Sequence, residues 1–559
     1  MQSCRKFNAL FSALLLVLLP VSFAACRSGG EKNKSAVPLS TAFPISADTA
    51  VTVPTSYEIR SPLDINTYII LNNENTTING GGAFFENSVL TISKGGSYSL
   101  KGKLLNGRIV VDTKEPGESV MLYLNGVNIS FSGGSPLYIA ESVRDTKLIL
   151  FEDSKNEITD YSEAPGESED QTQSSFPTAI CGENDLTVSG TGSLTIKAKH
   201  GRGIFSSDNL CIESGNLSIE SADDAVCGKN SLTVTGGSVN VVCGGSGLRT
   251  AASESGKGLL VVSGGSIRVE SKLDCIQSSS GLTVSGGSFD LTSDGGSMEN
   301  AGKKDTHTST ESSLPGLKTP IGDQTSRPID AEGSNAVSAE RAVTVSNGDF
   351  AVNSSADAFS CSGRLIITGG NFSVKTDRTA FYSSSTVTVS GGNIKTDYCL
   401  DGIEAKLANI SGGSIYINAQ SCSFGPDMVV TQSGGTVVSV SAKSVAGGSG
   451  IYTVTGGTVF ASGELSAHGT VASGNAELSS SAKAAANILL AVTDERGKSL
   501  FCLMLPRRCE GFWFSSPELV RGKSYNVYIG GINTGAQKNG VYQGSSYTPG
   551  TLSQTVTAK

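Results

Sequence analysis

SLTVTGGSVNV (231–241) carries the pattern that decides the fold: alternating apolar residues run into a double-glycine corner and resume beyond it. The string returns as GLTVSGGSFDL (281–291), RLIITGGNFSV (364–374), TVTVSGGNIKT (386–396) and LANISGGSIYI (407–417). Looser copies include NLCIESGNLSI (209–219) and YTVTGGTVF (452–460). The last glycine of each turn falls at 192, 215, 237, 265, 287, 348, 370, 392, 413, 435 and 457. Successive steps are 23, 22, 28, 22, 61, 22, 22, 21, 22 and 22, which marks a repeat architecture.

Within each copy the side chains alternate with the period of a strand that has one buried face. Five before the glycine stand Leu232, Leu260, Leu282, Val343, Leu365 and Val387; two after it stand Val239, Ile267, Phe289, Phe350, Phe372, Ile394 and Ile415. The column three after the glycine varies freely: Asn240, Arg268, Asp290, Ser373, Lys395 and Tyr416. Constant apolar columns beside variable polar ones predict an all-β solenoid, a parallel β-helix of coils of about 22 residues stacked about 4.8 Å apart. Propeller blades need roughly 40–50 residues per repeat, so that alternative is excluded.

Composition agrees. Of 559 residues 68 are glycine, only 17% are charged and 38% are apolar, enough to bury a core. A net charge of −9 with dispersed acids argues against a nucleic-acid partner. Three histidines (His200, His307, His468) leave little for imidazole-built metal sites.

The first 25 residues read as an export signal: Arg5 and Lys6 precede the apolar stretch LFSALLLVLLPVSF (10–23). Phe23-Ala24-Ala25-Cys26 resembles a bacterial lipobox, which implies a lipid on Cys26 and a cell-surface protein held to the membrane by that lipid alone. The alternative is secretion after cleavage at Ala25. Residues 26–54 then form a tether and 55–484 the β-helix, with a Ser/Thr-rich insertion at 296–334. From 485 the pattern changes to a small C-terminal β unit holding Trp513. The cysteines of the coils show no C-x-x-C pair and read as core filling, while Cys502 and Cys509 could pair.

LNGVNISFSGGSPLYI (124–139), the tandem LTVSGGS coils, the Ser-rich insertion and SPELVRGKSYNVYIGG (516–531) together resemble the bacterial surface family of carbohydrate-binding β-helix proteins. The resemblance spans roughly 60–550. It implies a right-handed, pectate-lyase-like helix that binds acidic plant polysaccharide such as polygalacturonate, carries calcium and is not catalytic.

Two sets of residues could carry that function. Outward positions Arg268, Lys395, Tyr416, Asn240 and Asn393 could line a glycan groove. At one helix corner stand Arg202, Asp224, Ser246, Asp274, Asn335, Asp357, Thr379 and Asp401, several of them followed by a small residue and then an apolar one. Calcium takes six to eight oxygens, so Asp223, Asp224, Asp274, Asp357, Asp401 and Glu404 are its candidate ligands. Aspartate also suits a tight turn by bonding its own backbone, which would need no metal. Glu152, Asp153, Glu157, Asp160, Glu163, Glu167, Glu169 and Asp170 form a second acidic group, read as a solvated loop. The expected protein is a monomeric, non-catalytic binder of acidic polysaccharide. Alternatives are an adhesin or structural spacer, and a divergent uronate lyase using Arg202 or Arg378 as base.

Overall fold

The computed structural model describes residues 65–163, 177–297, 334–447, 449–463, 470–543 and 546–559. The signal peptide, Cys26, the tether, most of the 296–334 insertion and the acids Glu167, Glu169 and Asp170 lie outside the described residues.

Every regular element among the described residues is a β-strand. A 31-stranded sheet and a 15-stranded sheet, both overwhelmingly parallel, wrap one apolar core; a third sheet has six strands. The register follows the glycine spacing. Asn216 pairs with Ser238, Ser238 with Ser266, Ser266 with Ser288 and Ser288 with Asp349. The last pair brackets the insertion, so the strands resume beyond it without a slip, and Gln277 likewise pairs with Ser338.

Inward columns form ladders because each strand buries alternate residues: Leu232, Leu260, Leu282, Val343, Leu365 and Val387 are all buried. The phenyl rings of Phe289, Phe350 and Phe372 stack at 4.4 and 4.8 Å, nearly parallel. Phe359 and Phe381, from the shorter sheet, stack at 5.2 Å, and Phe359 meets Phe350 and Phe372 edge-on at 5.6 Å. Such pairs add to the burial of area that drives folding. The corners need glycine on two grounds. Gly370 and Gly392 have φ of +94° and +86°, and a Cβ there would lie 3.0 and 2.9 Å from the carbonyl oxygens of Gly348 and Gly370.

Antiparallel pairs close the ends. Thr67–Leu71 pairs antiparallel with Thr77–Asn79 and Ala83–Glu86 with Val89–Ile92. At the other end Phe512–Ser515 runs antiparallel to Thr458–Ser462 and Glu477–Ser480. There Trp513 is buried and donates its indole N–H to Glu477 at 3.0 Å. The six-stranded sheet, from Leu489–Asp494 to Tyr547–Thr557, packs a second apolar cluster against the outer face of the long sheet.

Candidate functional site

Successive register pairs place Lys103, Asn128, Glu157, Thr195, Ser218, Asn240, Arg268, Asp290, Ala351, Ser373, Lys395 and Tyr416 in one outward column of the long sheet. Asn240 is exposed. Arg268 is exposed too, but its guanidinium bridges Asp290 at 3.1 Å and Glu270 at 2.7 Å. Lys395 reaches Asp397 at 2.5 Å. Tyr416 departs from the expectation of an outward glycan contact: it is only 7% exposed, packed with Val438, Phe460 and the C-terminal sheet, and burial pushes its phenol up to about 12. The signal was in the sequence, because Tyr416, Val438 and Phe460 follow one another down this column and turn it apolar where the C-terminal sheet covers it.

Asn393 and Lys395 do come together. They line an open groove of about 460 Å³ with Asp349, Asn371, Ser373 and Lys538, on strands whose Phe289, Phe350 and Phe372 rings are buried in the core. Asn393 donates to Asn371 at 2.8 Å, Asn371 donates to Asp349 at 2.7 Å, and Lys538 donates to Asn393. Lys538 comes from the two-residue strand Gln537–Lys538 of the C-terminal sheet. Nothing in its local sequence distinguished it from a solvated lysine. Amides, a hydroxyl and ammonium groups converging on an open groove are what a sugar's hydroxyls and substituents need.

The corner column is occupied by hydrogen bonds of its own. Asp224 is buried, accepts Ser246 N–H at 2.9 Å and pairs with Arg249 at 2.8 Å. Arg202 lies 3.3 Å from Asp223 and 3.8 Å from Asp224. Asp274, Asp357 and Asp401 accept the backbone N–H of Asn335, Thr379 and Cys422 at 2.8, 3.0 and 2.8 Å. Glu404 accepts the Thr379 hydroxyl at 3.2 Å. Burial raises the carboxyls of Asp274 and Asp357 above their ordinary value, partly offset by these bonds. Among the described residues no three acidic, histidine or cysteine side chains gather into a cation cage. With Asp224 neutralised by arginine, the expected calcium ligands do not gather into one cage among the described residues. A second groove, of about 410 Å³, opens beside the column and is lined by Arg249, Asp274, Gln277, Asn335, Ser338 and Glu340.

Residues 86–380 and 328–484 match the family described as "Carbohydrate-binding domain-containing protein". A protein of that description from Acetivibrio thermocellus is 31% identical over 159 residues, 28% of this chain and 54% of that protein. The chain thus spans about half the length of this curated relative. A solved structure of a polysaccharide lyase-like protein from C. thermocellum, a gadolinium derivative, is 26% identical. It covers 41% of this chain and 92% of its own, with a TM-score of 0.38.

Proposed function

The chain belongs to the family of carbohydrate-binding domain-containing proteins, and from that premise we propose that it binds an acidic polysaccharide without cleaving it. The chain is displayed outside the cytoplasm by a lipid on Cys26 and presents the outer face of a right-handed solenoid. The observation that carries this reading is the ladder Asn371–Asn393–Lys538 beside Lys395 in an open groove. The amides address sugar hydroxyls, and the ammonium of Lys538, which has no ion-pair partner among the described residues, favours a carboxylated sugar over a neutral one. The groove is open to solvent along the repeating sheet on the side away from Tyr416, so a polymer can enter it at an internal position.

The test is retention of the chain from residue 27 onward on immobilised polygalacturonate, with a neutral glucan as control, in calcium and in chelator. Retention on polygalacturonate in both media is expected, since the corner aspartates are committed elsewhere. Early elution of a Lys395→Ala/Lys538→Ala double variant is expected as well. Equal retention on the neutral glucan would remove the acidic preference, and no retention on either would overturn the reading.

A further inference from the structure

The outward column that passes Asn240, Arg268 and Lys395 begins, at its N-terminal end, with Lys103, Asn128 and Glu157 on neighbouring strands. Two residues earlier on the same three strands stand Lys101, Gly126 and Lys155. All six line a groove of about 360 Å³. Its floor is bare at Gly126, where φ is +80° and nothing lies within 4 Å of where a Cβ would be.

That floor is held from below. Asn156, buried, accepts the N–H groups of Gly126 and Val127 at 2.9 and 3.0 Å, and donates to Ser154 and to the Ser193 carbonyl at 2.9 and 3.0 Å. The cleft between Lys101 and Lys155 is therefore a fixed feature of the backbone.

Charge distinguishes this groove from the rest of the sheet. Several other cations of the sheet are answered by acids: Lys147 by Glu213, Arg268 by Asp290 and Lys395 by Asp397. Lys197 takes the one acid of this groove, Glu157, at 3.0 Å, and Asn128 holds the other oxygen of that carboxylate at 3.4 Å. Lys101, Lys103 and Lys155 have no ion-pair partner among the described residues. Three uncompensated ammonium groups around a concave floor, in a chain of net charge −9, concentrate positive potential there. Such a groove gains by taking an anion. Lysine, a compact charge on a flexible stem, suits carboxylates presented at varied angles along a sugar chain.

We propose that Lys101, Lys103 and Lys155 form a second, anion-selective subsite that takes the carboxylates of an acidic sugar chain. It rests on the polysaccharide reading above, but its nearest lysine, Lys155, lies eight strand spacings from Lys395 along the same sheet, about 38 Å. A short oligosaccharide reaches only one of the two sites, whereas a long chain can lie along the column and engage both, gaining avidity.

Calorimetric titration with trigalacturonate at low salt tests this, using the chain from residue 27 onward. Two binding events are expected. In a Lys101→Glu/Lys103→Glu/Lys155→Glu variant the subsite event is expected to weaken by roughly tenfold or more, because charge reversal replaces attraction by repulsion. The corresponding arginine variant is expected to keep it, and high salt to suppress it through screening. These side chains are exposed, so the circular-dichroism spectrum is expected to stay unchanged. An unaltered titration in the glutamate variant, beside a loss in Lys395→Ala/Lys538→Ala, would overturn the subsite and leave the first groove standing. No binding of trigalacturonate by the unsubstituted chain would overturn both.

Discussion

Asp274 accepts the backbone N–H of Asn335 at 2.8 Å although 61 residues separate the two. Asn335 in turn accepts the N–H of Asp357 at 3.1 Å, and Asp357 that of Thr379 at 3.0 Å. Side chains at one corner thus stitch each coil to the next, and the stitch continues across the insertion. Closing so long a loop is opposed by chain entropy, which these bonds help to offset. Asp274→Ala leaves a half-buried N–H unanswered and is expected to lower unfolding free energy by about 1 kcal/mol. Asp274→Asn keeps an acceptor and is expected to cost less. Chemical denaturation of both variants checks this; equal losses would show that the bond to Asn335 is not what the position supplies.

Acidity is expected to stabilise part of the solenoid. Burial raises the carboxyls of Asp160, Asp185, Asp274 and Asp357 above the carboxylate range of the unfolded chain. Between the unfolded and folded values the native state holds protons that the unfolded chain has released. The stability contributed by these groups is therefore full below the unfolded pKa and is lost as pH rises through the folded one. Thermal midpoints are expected to rise on acidification from pH 7 towards about 5. Asp274→Asn/Asp357→Asn is expected to flatten that rise; a slope unchanged in the double variant would assign it to other groups.

Repetition made the solenoid readable, because each coil states the same local constraints again. Leu232 and its counterparts need only alternate, and Gly370 only turn, for the sheet to follow. The site was harder. Asn393 and Lys395 could be placed on the outer face by period alone, but Lys538 reaches them from a strand some 145 residues away in sequence. Tyr416 has the outward parity of Lys395 and is nonetheless buried, because Phe501 and Phe512 of later strands pack in the cluster that covers it. Spacing sets the corner aspartates in one column but cannot reveal their partners. That Asp224 faces Arg249 follows from register between coils, not from either residue's neighbours in sequence.

Thiol chemistry gives a further test. A chain beginning after Cys26 carries ten cysteines, all free and buried, including Cys502 and Cys509, which do not pair. Burial pushes the thiols of Cys181, Cys227, Cys275 and Cys399 up to about 12, and those of Cys211 and Cys509 to about 11. Thiolates are the reactive species, so the native protein is expected to resist a disulfide reagent near neutral pH. All ten are expected to react once denaturant unfolds the chain. Rapid labelling of Cys181 or Cys227 in the native state would show that the outer face of the shorter sheet opens.

Uronate elimination requires a base within reach of the sugar C–H and free to accept its proton. Arg202 stands nearest to the corner acids, but its side chain is only 6% exposed. Its guanidinium is engaged by Asp223 at 3.3 Å and lies over the Phe205 ring at 5.3 Å. A group so enclosed cannot approach a polymer on the outer face. That leaves exposed Arg378 as the other candidate base, and under the binding reading incubation with pectate is expected to yield no absorbance from unsaturated uronates, with or without added calcium. Arg202→Ala is expected to cost about 2 kcal/mol of stability through the lost charge-assisted bonds, while retention on polygalacturonate stays as in the parent chain. Absorbance that accumulates in the parent and disappears in Arg202→Ala would make this arginine a catalytic base and replace the binding reading with a lyase.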